Sequence, residues 1–300
     1  MNTPTAGVGT TWLITPATEP DRFHTAVRSG ADVALLDLED SVPAHAKDTA
    51  RTSALHFLTT TAANPGGSSP PTLGLRLNAT STIHGLKDLV AVAESGHTPA
   101  VLLVPKVESP HDIELVAHLV HARDSRPVVW ALIETPRAIQ RLPEILRARP
   151  LAGVVFGAAD YAAAVGCARD RRALLYPRSA LAAGAAAAGI PAIDSPCFDL
   201  RDLEALRLEA HESKVLGFVG KGAVHPAQLG VIRDTFTPTG HELDAARALV
   251  AAADRDDGSI TTVDGHMVGP PLIAAARTLT TRAGHTRDRT TPTQEDRRST

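Results

Sequence analysis

Short apolar runs alternate with helix-like segments along most of the chain, and this alternation restricts the fold more than any other feature. The runs cover residues 11–16, 33–38, 72–77, 100–104, 128–133, 151–156, 192–193 and 218–224. Segments of helical pattern separate them, among them residues 20–29, 44–60, 112–122 and 201–216. The first of these has Pro20 at its start, where a missing N–H costs nothing, and Gly30 at its end. Runs such as 33–38 and 128–133 read as buried strands, as in a parallel sheet covered on both faces. Eight βα units in succession predict an α/β fold, a (β/α)8 TIM barrel. The rival is an open doubly wound sheet, which normally carries a glycine-rich phosphate turn after its first strand. The turn here reads Thr15-Pro16-Ala17-Thr18 and is not of that kind.

The barrel is expected to occupy residues 1–238, interrupted by a Pro/Gly/Ser loop at 64–71. A C-terminal helical extension, 239–281, should hold a helix at 240–254, a small β-turn segment at 259–267 and a last helix at 271–279. Such an extension would serve as a lid or an oligomer contact. Residues 282–300 are polar without an apolar period and are expected to form a disordered tail.

Composition removes several classes of function. The net charge is −3 and aromatic residues make up 3% of the chain, which disfavours nucleic acid as a partner. No apolar run approaches the roughly 20 residues that span a bilayer. Cys167 and Cys197, the two cysteines, supply neither a disulfide framework nor a four-ligand zinc site. The N-terminus lacks a basic segment followed by an apolar core, so a cytoplasmic location is expected.

Active sites of such barrels lie at the C-terminal ends of the strands. There the chain places Asp37, Glu39 and Asp40 after strand two, Arg76 and Asn78 after strand three, and Lys106 and Glu108 after strand four. Glu134 follows strand five, Asp160 strand six, Asp194 strand seven, and Lys221 and His225 strand eight. Glu134 and Asp160 end consecutive strands and can meet at one point. Carboxylates that close repel unless a proton or cation sits between them, and Mg²⁺ suits oxygen ligands and open water positions. Arg76 should point into the mouth, where its planar fork suits a substrate carboxylate. Arg76 and a metal together would hold a 2-keto acid, with the ion as Lewis acid on the keto oxygen, for carbon–carbon cleavage or formation. Each residue has a plainer reading: Arg76 as a partner of Asp37 or Glu39, Glu134 as a structural acid, Asp160 as a helix N-cap, His225 as a satisfied structural histidine at the start of the eighth helix, and Asp194 as a turn residue.

The segments Leu36-Asp37-Leu38-Glu39-Asp40-Ser41-Val42-Pro43 with Lys47, Arg76-Leu77-Asn78, Val104-Pro105-Lys106-Val107-Glu108-Ser109, Ala131-Leu132-Ile133-Glu134-Thr135, Phe156-Gly157-Ala158-Ala159-Asp160 and His225-Pro226-Ala227-Gln228 occur in this order. Together they resemble the citrate lyase β-subunit (CitE-like) branch of the HpcH/HpaI aldolase superfamily, over roughly residues 11–279. The resemblance implies Mg²⁺ on Glu134 and Asp160, Arg76 as ligand of the substrate carboxylate, and a catalytic set of Arg76, Glu134, Asp160 and Asp37. It implies cleavage or formation of a 3-hydroxyacyl thioester such as citryl-, malyl- or citramalyl-CoA, giving a 2-keto acid and an acyl-CoA. Arg22 and Lys47 match basic positions near the coenzyme A phosphates, or are solvated helix charges. A homotrimer or hexamer is implied, and an acyl carrier protein is the alternative carrier of the thioester. The branch acting on free hydroxy acids carries His where this chain has Asp40, which favours the thioester branch. One departure stands out: Met267-Val268-Gly269-Pro270-Pro271 puts Gly269 where related lyases and malate synthases carry an acid/base Asp. Two alternatives therefore remain, a CoA-independent keto-acid aldolase and a non-catalytic barrel that binds keto acid or CoA.

Overall fold

The computed structural model describes residues 9–63, 70–97, 99–120, 128–255, 261–263 and 266–288. The chain divides into two compact units, 1–236 and 237–300. The first alternates β1 (Thr11–Pro16), α1 (Asp21–Arg28), β2 (Val33–Asp37), α2 (Lys47–Ala63), β3 (Thr72–Arg76), α3 (Ile83–Glu94), β4 (Val101–Val104) and α4 (Pro110–Val120). It continues with β5 (Val128–Ile133), two short helices α5 (Pro136–Gln140) and α6 (Leu142–Ile145), β6 (Leu151–Phe156), α7 (Ala158–Val165) and α8 (Leu175–Ala188). It closes with β7 (Ala192–Asp194), α9 (Leu203–Leu216), β8 (Gly220–Ala223) and α10 (Gln228–Phe236). The eight strands form a closed, all-parallel barrel in sequence order, with β8 returning to β1. The expected (β/α)8 barrel is therefore the observed fold.

Two apolar layers follow from the period of two along each strand. Trp12, Val33, Leu35, Leu103, Trp130, Leu132 and Ile193 fill the barrel interior. Leu36, Leu75, Leu102, Val104, Ala131 and Phe156 face the helices instead. Burying each of the larger side chains contributes roughly 1.5–3 kcal/mol. Trp12 and Trp130 meet edge to face with ring centroids 4.5 Å apart. A Cβ on Gly153 would fall 2.3 Å from the Trp130 ring, so only glycine lets β6 pass this indole.

The same alternation decides which strand ends feed the mouth. On β2 the inward series Val33, Leu35 continues to Asp37, and on β5 the series Trp130, Leu132 continues to Glu134. On β7 the parity is opposite: Ile193 faces inward, so Asp194 points out toward the helices. Lys221 does the same. The expectation that these two reach the mouth is corrected accordingly. They join a buried charge cluster with α8 and α9. Asp194 accepts from Arg178 Nη2 at 2.9 Å and Ser213 Oγ at 2.6 Å, with Lys221 Nζ at 3.4 Å. Lys221 also donates to the Ser195 carbonyl at 2.7 Å.

The second unit holds α11 (Gly240–Arg255), the antiparallel hairpin β9 (Thr261–Val263) and β10 (His266–Val268), and α12 (Pro270–Asp288). Its small core is Ala253, Val268 and Ile273, with Leu249 packed against it. The last helix runs past the expected end at residue 279 and reaches Asp288. Elongating an existing helix adds a hydrogen bond per residue and needs no new nucleus, and no proline stops it there. The remainder of the expected tail, 289–300, and residues 64–69 of the expected loop lie outside the described residues. Among the described residues no helix is long and apolar enough to cross a membrane.

Burial opposes ionisation of Asp194, but the charges of Lys221 and Arg178 and its hydrogen bonds override it and hold the carboxyl below its ordinary 3.8. A depressed folded value means that its stabilising contribution is complete above that ordinary value and is lost as pH falls through the folded one. Asp194→Asn is expected to lower stability by about 3 kcal/mol near neutral pH, because Arg178 and Lys221 lose their shared counter-charge. Urea unfolding at neutral pH and near pH 3 checks both effects: the gap between variant and wild type should narrow in acid.

Candidate active site

Asp37 and Arg76 are register partners at the ends of β2 and β3. Their side chains form a bidentate pair, Nε to Oδ1 and Nη2 to Oδ2, each 2.6 Å. Asp37 also accepts from the Glu39 amide at 2.8 Å and from the Ser41 hydroxyl. Burial works against the charge on Asp37, yet Arg76 and these hydrogen bonds keep its carboxyl below the ordinary value. Arg76 is itself driven upward, since Asp37, Glu39 and Glu134 outweigh its burial. Its side chain is only 13% exposed. Of its five N–H groups Asp37 takes two, and three remain on Nη1 and Nη2. Nη1 lies 2.9 Å from Glu39 Oε2, but that oxygen forms no hydrogen bond among the described residues. The plainer reading of Arg76 as a partner of Asp37 and the reading as a carboxylate ligand are therefore compatible.

Glu134 follows β5 and is 1% exposed. Its Oε1 accepts the Lys106 backbone N–H at 2.8 Å. On the other side lies Gly157, where a Cβ would fall 2.5 Å from Glu134 Cβ and Oε2. The glycine thus admits the carboxyl to the turn from which α7 starts. Asp160 sits in the first turn of that helix. Gly157, not Asp160, is the N-cap, and no side chain caps the helix. The Asp160 carboxyl is free to face Glu134, and the two acids lie within hydrogen-bonding reach. Burial, then Glu39 and Asp160, push the Glu134 carboxyl well above 4.5, against the pull of Lys106. Glu39 is likewise raised, by burial foremost, despite Arg76 and Lys106.

Lys106 interleaves these acids. Its Nζ lies 2.7 Å from Glu39 Oε1, 3.6 Å from Asp160 Oδ2 and 3.7 Å from Asp40 Oδ2. Sequence reasoning placed it at the rim without a role. The signal was the excess of acids over bases at the strand ends, which demands a second cation. A buried relay was also missed. Arg51 Nε donates to Asp88 at 2.7 Å, Asp88 accepts from the Asn78 amide and side chain at 2.7 Å each, and Lys47 donates to Asn78 Oδ1 at 2.6 Å.

That relay corrects the expectation for Lys47. Its ammonium also donates to the Leu38 and Glu39 carbonyls at 2.8 and 2.7 Å, so all three N–H groups are spent inside the protein and none is left for a phosphate. Lys47 instead pins the loop that presents Glu39. Arg22 is exposed on α1 and paired with Glu19 at 2.6 Å. His225 is exposed, and its Nδ1 accepts from the Ala227 amide at 3.1 Å. Gly269 precedes α12, and a Cβ there would meet only Pro271 Cδ, at 3.8 Å. Packing does not force a glycine at that position.

The donor set suits a hard divalent ion. Two neighbouring carboxyls, one buried and driven toward the neutral form, share a single ammonium, Lys106 Nζ, which lies 3.6 Å from Asp160 Oδ2, and Glu39 Oε2 accepts no hydrogen bond among the described residues. No group of three or more His, Cys, Asp or Glu forms a fuller cage among the described residues. Two protein carboxylates completed by water and substrate is the usual manner of Mg²⁺.

Fold and mouth together define a closed parallel barrel with an arginine fork and a cluster of acids at the C-terminal ends of its strands. The family model of HpcH/HpaI aldolase/citrate lyase matches residues 11–226, and the chain belongs to that family. A citrate lyase subunit beta-like protein of Mycobacterium tuberculosis H37Rv is 34% identical, over 95% of this chain and 98% of that protein. The mitochondrial citramalyl-CoA lyase of Homo sapiens is 29% identical, over 90% of this chain and 84% of that protein. The solved structure of CitE from M. tuberculosis with magnesium, acetoacetate and coenzyme A aligns with a TM-score of 0.78 at 31% identity, over 94% of this chain and 99% of that one.

Lys47→Met is expected to cost about 3 kcal/mol, because three buried acceptors lose their donor. Chemical denaturation measures it. A variant as stable as wild type would show that the relay carries no load.

Proposed function

We propose that this chain is a Mg²⁺-dependent carbon–carbon lyase acting on a short 3-hydroxyacyl-CoA thioester, of the citryl-, malyl- or citramalyl-CoA type. It releases a 2-keto acid and an acyl-CoA, or joins them in reverse. The observation that carries the reading is the juxtaposition of a buried arginine fork with the Glu134–Asp160 pair in one mouth. The family supports it, as do the magnesium, keto acid and coenzyme A named for the M. tuberculosis relative.

Glu134 and Asp160 would hold the ion. When bound it supplies Lewis acidity at the oxygen that becomes the keto group. Arg76 binds the substrate carboxylate through the N–H groups that Asp37 leaves free. Asp37 fixes the plane of the guanidinium, so the carboxylate is oriented at little cost in entropy. Cleavage breaks the bond between the carbinol carbon and the carbon next to the thioester. The hydroxyl proton leaves, the carbinol becomes the carbonyl, and the thioester enolate takes the electron pair and then a proton. Arg22, in the first turn of α1 on the catalytic face, is available for a coenzyme A phosphate. Gly269 removes the carboxylate that related enzymes would use for proton transfer there, a loss often worth 10²–10⁴-fold. It is the one feature favouring a second reading, a barrel that binds keto acid or CoA with little turnover.

A thermal-shift panel of oxaloacetate, pyruvate and glyoxylate, with and without Mg²⁺, tests the binding half. Stabilisation is expected only when the ion is present and should vanish in Arg76→Ala, since a ligand raises Tm only by preferring the folded state. Stabilisation indifferent to the ion would count against the site.

Turnover of citryl-, malyl- and citramalyl-CoA tests the other half. Cleavage of one of them is expected to fall by about 10³-fold or more in Glu134→Ala, because the Lewis acid is lost. Absence of cleavage in the wild type, with keto-acid binding intact, would select the non-catalytic reading.

A further inference from the structure

Lys106 is the mouth residue that the lyase reading leaves without a task. Its backbone is left-handed, φ 52, the only non-glycine residue in that region among the described residues. The conformation turns its amide onto Glu134 Oε1 at 2.8 Å while the side chain runs back across the mouth. The ammonium then lies 2.7 Å from Glu39 Oε1 and 3.6 Å from Asp160 Oδ2. One residue therefore touches both carboxyls of the cation pair, Glu134 by its main chain and Asp160 by its charge. With the side chain 36% exposed, the ammonium can swing away without unfolding its surroundings.

We propose that Lys106 is a tethered cation that competes with the divalent ion for the Glu134–Asp160 pair and thereby sets the affinity of the metal site. The inference rests on the metal reading of that pair. Three acids, Glu39, Asp40 and Asp160, converge on the ammonium, with Glu134 on the backbone amide of the same residue, and without that charge the metal-free mouth would hold mutually repelling carboxyls. An arriving dication must share Asp160 with a positive charge already beside it. It gains less there than at a bare pair of acids. Glu39 gives the displaced ammonium a second anchor, so release from Asp160 does not require release from the site. Lys106 is thus a positioning residue with respect to chemistry, and its signature is metal affinity.

The test is an electron paramagnetic resonance titration of Mn²⁺ into the full chain, with Mg²⁺ as competitor. Lys106→Met removes the charge and keeps an unbranched side chain on the same backbone. It is expected to bind Mn²⁺ about tenfold more tightly than wild type. Lys106→Arg keeps the charge and should stay close to wild type. Lys106→Gln, neutral but able to hydrogen-bond Glu39, gives the same reading should the apolar variant lose the fold. Neutral variants that bind Mn²⁺ no more tightly than wild type would falsify the competition, as would Lys106→Arg tracking the neutral variants. Failure of every protein, wild type included, to bind Mn²⁺ would overturn the metal site itself, a result distinct from equal affinities.

Discussion

The bidentate pair between Asp37 and Arg76 underlies the whole mouth. Both are the last residues of adjacent strands and stand opposite each other in the parallel register. The barrel's hydrogen-bond ladder therefore sets their separation before any side chain is considered. A buried guanidinium is tolerable only with its counter-charge and hydrogen bonds in place. Asp37 supplies two, and the Ser41 hydroxyl and Glu39 amide in turn hold Asp37. The outcome is a fork whose plane is fixed and which keeps N–H groups that Asp37 does not take. Preorganisation of this kind is what a carboxylate-binding arginine needs.

Around that pair the mouth carries more acid than base. Glu39, Glu134 and Asp160 crowd one side, and burial makes the charges of Glu39 and Glu134 costly. Two cations already present, Arg76 and Lys106, relieve the crowding only in part. The excess negative charge is a cost to the folded protein that a dication would relieve. Function is written here as a locally unfavourable arrangement held by a rigid scaffold: the Arg51–Asp88–Asn78–Lys47 relay behind Glu39, and the glycine at 157 that admits Glu134 to the turn.

The placement of the Asp194 cluster shows how the same strand-end chemistry serves stability when parity changes. Asp37 and Asp194 both end strands, and both are buried and held ionised by an arginine. One faces the barrel axis and holds Arg76; the other faces α8 and α9 and ties two helices to β7 and β8. Chemical identity is the same, and direction alone separates the roles.

Strand order and strand ends were legible in the chain, because period-two apolar runs and helical segments are local properties of consecutive residues. The acid pair Glu134 and Asp160, and the inward aim of Arg76, followed from those ends. The fate of Lys47, Asp194 and Lys221 did not. Whether a lysine is spent on carbonyls or offered to a ligand depends on which loops close over it, and those contacts join residues far apart in sequence. In β7 and β8 the runs are so short that their parity is ambiguous until neighbouring strands impose a register. Lys106 shows the same limit most sharply. Its type and position were plain, but its left-handed backbone, and the reach to three separate acids that comes with it, exist only once β2, β5 and α7 are brought to one rim.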